Sequence, residues 1–109
     1  GASGDKPRLF LVTIGINQYK NAKYNLNYAK ADADSFESSI KSVSGSLFKE
    51  VIPFCIRNDK AVRENILAAF DQIKKNSLEQ DMLVVYYAGH GVMSEATPEQ
   101  PADFYIVPH

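Results

Sequence analysis

Apolar residues along this chain fall into two kinds of pattern. Residues 8–16, 50–56 and 82–87 are short apolar runs rich in β-branched and aromatic side chains, too short for a helix. Runs of that kind suit strands covered on both faces of a parallel sheet. The clearest is Met82 to Tyr87, which contains no polar residue to mark a solvent face. In the second run Pro53 lacks an amide donor, which places that strand near a sheet edge. Between the first two runs Ala29, Ala33, Phe36, Ile40 and Val43 recur at helical spacing, with Lys30, Asp34, Glu37 and Lys41 on the opposite, watered side. Between the second and third, Val62, Ile66, Ala69, Phe70 and Ile73 form another such stripe. Asn58 or Asp59 is the expected cap of that helix, and Lys74 and Lys75 fall in its last turn.

The order strand, helix, strand, helix, strand predicts right-handed crossovers and a mostly parallel sheet between helical layers, an α/β three-layer sandwich. After residue 92 the character changes. Met93 to Asp103 is polar and holds Pro98 and Pro101, the composition of a mobile loop, and residues 104–107 begin another strand. No helix follows before His109, so the sandwich is expected to be incomplete.

Composition narrows the function classes. The 109 residues are 45% hydrophobic and 23% charged, as in one domain or part of one. Lys and Arg number 12 against 13 Asp and Glu, with no run of either sign, so neither nucleic acid nor an anionic membrane is an expected partner. Cys55 is the single cysteine, which excludes an internal disulfide and fits a reducing, cytoplasmic compartment. No Cys/His cluster has metal-ligand spacing and no loop has the EF-hand pattern, so neither a metal nor a cofactor is expected. Residues 1–7 read as a cloning remnant or a flexible N-terminus, and residues 8–109 as the structured unit.

Candidate chemistry lies where the third apolar run ends, at Ala88, Gly89, His90 and Gly91. Open α/β sheets bind ligands at the carboxyl edge of their strands, and a histidine between glycines there is presented on a sharp, open turn. Imidazole serves as a general acid or base, or activates a thiol. The amide of Gly91 can donate to a developing oxyanion. A doubly wound domain that binds a phosphate or nucleotide is the weakest reading, because neither Gly15 nor Gly89 belongs to a G-x-G-x-x-G or Walker pattern.

Tyr-Tyr-Ala-Gly-His-Gly at residues 86–91, Ile-Gly-Ile-Asn-Gln-Tyr at 14–19, Ala31-Asp32-Ala33 and Ile106-Val107-Pro108 together resemble the caspase-like cysteine peptidases, particularly their metacaspase and bacterial relatives. The resemblance covers nearly the whole chain, in order, and implies that residues 8–109 are the N-terminal part of a caspase-like peptidase domain. It implies that His90 is the histidine of a Cys-His dyad and that the Gly91 amide belongs to the oxyanion hole. It places Asp32 at the mouth of the P1 pocket, favouring Arg or Lys at the cleaved bond, and Ala88 on the pocket floor, where many relatives carry serine. The implied partners are a peptide or protein substrate, the remaining half of the domain and fused regulatory domains. The family's Asp-x-Cys-His-Ser-Gly type motif does not occur among these residues. Cys55, inside an apolar run, is expected to be a small buried hydrophobe. The nucleophile is therefore expected outside these residues, and the alternative is an inactive caspase-fold module that binds peptide without cutting it.

Overall fold

A computed structural model describes residues 6–93, 98–99 and 104–109. Three strands, β1 (Arg8–Gly15), β2 (Glu50–Arg57) and β3 (Met82–Ala88), pair in the order β2-β1-β3, and all pairings are parallel. Helix α1 (Ala29–Val43) links β1 to β2, and α2 (Arg63–Asn76) links β2 to β3. The chain steps outward from β1 to β2 and then back across β1 to β3. Two crossovers of the same hand that travel in opposite directions lie on opposite faces of the sheet, which generates the predicted three layers. Ile66, Ala69 and Ile73 of α2 join Phe10, Val12 and Ile14 in one apolar cluster. On the other face Gly15 backs directly onto α1, where an added Cβ would lie 2.9 Å from both the Ala29 carbonyl oxygen and the Ala33 Cβ.

The central strand is β1, every residue of which from Leu9 to Gly15 is buried. Burial of β3 on both faces, expected from its unbroken apolar run, is not what forms. Met82, Leu83 and Val85 remain 51%, 47% and 47% exposed, because among the described residues β3 has a neighbour only on its β1 side. A strand's composition reports that it tolerates burial, whereas its rank in the sheet determines how much it receives. Among the described residues β2 lies at the sheet edge, as expected.

Both helix stripes form, with corrections at their ends. Ala29 and Ala33 are buried and Phe36 and Ile40 half-buried, with the Phe36 ring stacked on Tyr86 at 4.5 Å, but Val43 in the last turn is 67% exposed. Residues Asn58–Lys60 form a separate 3-10 turn rather than capping α2, which starts after Val62 without a side-chain cap. The strand expected at 104–107 is β5 (Phe104–Ile106), and it pairs antiparallel with β4 (Gly91–Met93) instead of joining the parallel sheet. Most of the expected mobile loop lies outside the described residues, as do residues 1–5. Among the described residues no helix is long and apolar enough to cross a membrane.

At the amino edge of the sheet one carboxylate ties β1 to β3. Asp81 accepts the Leu78 amide at 2.8 Å, the Arg8 amide at 2.9 Å and the Arg8 guanidinium at 2.8 Å. The Leu78 and Arg8 amides, followed by the Arg8 side chain, hold its carboxyl at about 2. A carboxyl group depressed in the folded state stabilises the fold above its unfolded pKa, near ~4, and that contribution disappears as pH falls through the folded value. Asp81→Asn should therefore melt below the parent at pH 7, and the gap should close between about pH 4 and about pH 2. Thermal melts across that range check this, and a gap independent of pH would remove Asp81 from the role.

Candidate active site

The carboxyl ends of β1, β2 and β3 open into three loops; asparagine side chains bind the first two together, and main-chain and tyrosine groups attach the third. The amide of Ile16 donates to the carbonyl of Ala88 at 3.0 Å, carrying the sheet pairing one residue past the strands. Asn58, whose φ of 47° lies in the left-handed region that asparagine tolerates, accepts the amides of Asn17 and Gln18 through its Oδ1 at 2.9 and 3.2 Å. Asn17 in turn accepts the Lys30 amide at 3.0 Å, satisfying a donor in the first turn of α1, and its carbonyl accepts Leu26. Asn25 accepts the amide of Tyr19 at 2.8 Å. A 3-10 turn at Ala22–Tyr24 completes the β1–α1 loop and carries the Tyr24 carbonyl to the end of β3.

His90 meets that carbonyl. Its Nε2 lies 2.7 Å from Tyr24 O. A carbonyl can only accept, so Nε2 bears the proton and Nδ1 of the neutral ring carries the lone pair. Tyr19 and Tyr24 flank the ring with centroids at 5.1 and 6.0 Å, the second in an edge-on arrangement. The main chain of His90 is held as firmly. Its amide donates to the Tyr19 hydroxyl at 2.9 Å, and its carbonyl accepts the Val107 amide at 3.0 Å and the Tyr87 hydroxyl at 2.5 Å.

The geometry of the β4–β5 pair determines where the next amide points. His90 stands opposite Val107 and receives its hydrogen bond, and Gly91 stands opposite Ile106. Bonded and non-bonded pairs alternate in an antiparallel ladder, so the Gly91 amide faces away from β5. Gly91 and His90 line one cavity of ≈ 320 Å³ with Tyr24 and Val107.

Asp32 and Ala88 meet in a second cavity. It measures ≈ 410 Å³ and is lined by Tyr28, Asp32, Ala88 and Gly89, among others, so the Gly89–His90 peptide joins it to the first. Ala88 closes β3 opposite Gly15, and Asp32 lies in the first turn of α1. Among the described residues no cation pairs with the Asp32 carboxylate. Asp34 is exposed on the helix, as expected, and also binds Lys30 and Arg57, each at 2.9 Å, which hold its carboxyl below the usual range. Tyr28 stands at the cavity with 73% of its surface exposed.

Cys55 lies elsewhere. It is on β2 opposite Thr13, with β1 between its strand and the one that delivers His90. The expectation of a buried apolar side chain is corrected, for Cys55 is exposed and its thiol donates to Glu37. Glu37 also accepts Thr13 and pairs with Lys41, so the thiol completes a polar cluster under α1. Partial burial and the Glu37 carboxylate push the Cys55 thiol up, which keeps it protonated and weakly nucleophilic.

Four residues expected from the sequence thus gather at one edge in two adjoining cavities, His90 with Gly91 and Asp32 with Ala88. Sequence reading did not find the carbonyl of Tyr24, the hydroxyl of Tyr87 or the side chain of Asn58. A main-chain carbonyl leaves no mark in a sequence. Tyr87 left a weak one, as a phenol inside an apolar strand needs a partner for its hydroxyl.

A family model described as the caspase domain matches residues 8–109. No curated protein matches the chain.

Because Asn58 supplies one oxygen to two amides from a left-handed backbone, Asn58→Ala should destabilise the fold by about 1–3 kcal/mol. Hydrogen exchange at the Asn17 and Gln18 amides should accelerate more than exchange in β1. Unchanged protection at both amides would show that Asn58 does not hold this loop.

Proposed function

The chain belongs to the caspase domain family, and from that premise we propose that it is the histidine-bearing part of a cysteine endopeptidase that cleaves after basic residues. The observation that carries the reading is the hydrogen bond from His90 Nε2 to the Tyr24 carbonyl, which leaves Nδ1 as the base of the neutral ring. A thiol brought to Nδ1 by a cysteine outside these residues would transfer its proton to the ring, and the sulfur would attack the scissile carbonyl carbon. Charge developing on the carbonyl oxygen would be met by the Gly91 amide, which the β4–β5 register turns away from β5. As the tetrahedral centre collapses, the C–N bond breaks and Nδ1 returns the proton to the departing amine. Water, deprotonated by the same nitrogen, then releases the acyl group.

The adjoining cavity supports a basic P1 residue. Its Asp32 carboxylate faces no cation of the described chain, and a guanidinium or ammonium entering beside it would form a charge-assisted pair. Ala88 offers that cavity a methyl group and no hydroxyl, so selection there rests on Asp32. Cys55 is not suited to be the nucleophile, given its strand and its raised thiol pKa.

Two variants of the full, cysteine-containing chain test the assignment with peptides carrying Arg or Lys at P1. His90→Ala should lower kcat/KM by about 10³-fold or more, and a variant that cleaves as fast as the parent removes His90 as the base. If the parent binds such peptides without cleaving them, the inactive-module reading replaces this one. Asp32→Ala should reduce the preference for Arg over a neutral P1 residue by about 10- to 100-fold, with cleavage after neutral residues retained. An unaltered preference would take Asp32 out of the pocket.

A further inference from the structure

Two phenols that the cleavage chemistry does not use converge on the turn that carries His90. Tyr19 arrives from the β1–α1 loop and Tyr87 from the last turn of the β3 ladder, and both lie in or against the apolar cluster on the α2 side. Their hydroxyls close over Gly89. A Cβ at that position would lie 2.6 Å from the Tyr87 oxygen and 3.0 Å from the Tyr19 oxygen. Any side chain at 89 would have to push both phenols away.

The hydroxyls replace one bond of the β ladder. His90 and Val107 face each other in a hydrogen-bonded pair, in which each residue's amide ordinarily donates to the other's carbonyl. Only half of that exchange is present, from the Val107 amide to the His90 carbonyl. The His90 amide turns instead to the Tyr19 hydroxyl, and the Val107 carbonyl left behind lies 3.1 Å from the Tyr87 hydroxyl. The displaced amide therefore finds one phenol, and the displaced carbonyl shares the single proton of the other with the His90 carbonyl, which lies 2.5 Å from the same hydroxyl. Burial, then the neighbouring Tyr19 hydroxyl, pushes the Tyr87 phenol well above its ordinary range, so it remains a donor throughout the physiological pH range.

We infer that Tyr19 and Tyr87 are positioning residues that lift His90 off the β4–β5 ladder and so aim its ring at the Tyr24 carbonyl, selecting the tautomer with Nδ1 free. With the His90 amide returned to Val107, the backbone would rotate and the imidazole would leave Tyr24. The inference rests on His90 as the working imidazole for its catalytic meaning, but the selection of the tautomer can be measured without any cleavage.

The test uses ¹⁵N-imidazole spectra and amide exchange on this chain and on Tyr19→Phe and Tyr87→Phe, which keep the rings and delete one oxygen each. The parent should show His90 as the Nε2–H tautomer. Each variant should mix the two tautomers and speed exchange of the His90 amide by roughly ten-fold, with β1 amides as protected as before. Variants that keep β1 protection, a single tautomer and slow His90 exchange overturn the inference. So does loss of β1 protection in both variants, which would make the phenols core supports only. In the full, cysteine-containing chain the same variants should lower kcat with little change in KM. A chain that proves unable to cleave peptides would defeat the protease reading and leave the spectroscopic result standing.

Discussion

Both faces of β1 are buried, and a strand of that kind must be covered twice. One helix cannot do this. The chain has to send α1 over one face and α2 over the other, and the common hand of the crossovers then requires it to step outward to β2 and return across β1 to β3. From this follows the location of the site. All three strands run in the same direction, so every strand-to-helix loop emerges at the same edge, and the turn after β3 emerges beside them. Asp32, Ala88, His90 and Gly91 are separated by up to 59 positions in sequence and share that edge because β1 is covered on both sides.

At that edge the polar groups divide the work between side chains and backbone. Three asparagines, at 17, 25 and 58, satisfy amides that the sheet and helix ends leave unpaired, and they shape the loop whose Tyr24 carbonyl meets His90. Orphan donors at an element's end cost free energy unless paired, so the loop is most stable in the one conformation that supplies a partner to each. The imidazole is oriented by that conformation. Its tautomer follows from a carbonyl that has no proton to give.

Charged groups at the two ends of β1 behave differently for reasons of place. Asp81 at the amino edge binds amides and Arg8 and serves to hold strands together. Asp34 and Glu37 meet Arg57, Lys30 and Lys41 over the β1–β2 face. Asp32, two residues from Asp34 and therefore rotated about the helix axis, turns out of that network and into a cavity. The same geometry separates the one thiol from the imidazole of His90. Cys55 is drawn to a carboxylate that keeps it protonated, on a strand that β1 divides from β3.

The chain's own letters determined the strand and helix order, the parallel sheet, the edge rank of β2 and the placing of the Gly-His-Gly turn after a strand, because each depends on periodicity and on Gly and Pro, which act locally. The lateral ranks of the other two strands were beyond them. Met82 to Tyr87 is more uniformly apolar than Leu9 to Ile14, yet β1 is central and β3 borders the described sheet, since burial is conferred by neighbours and not by composition. Val43 was misread for the same reason, as a helical stripe does not reveal where the surface it covers ends. The cap expected from Asn58 went to other amides, across 41 and 40 positions of sequence. Only the tertiary structure could show that a tyrosine carbonyl and two phenols hold His90, because those contacts join residues that proximity in the chain does not bring together.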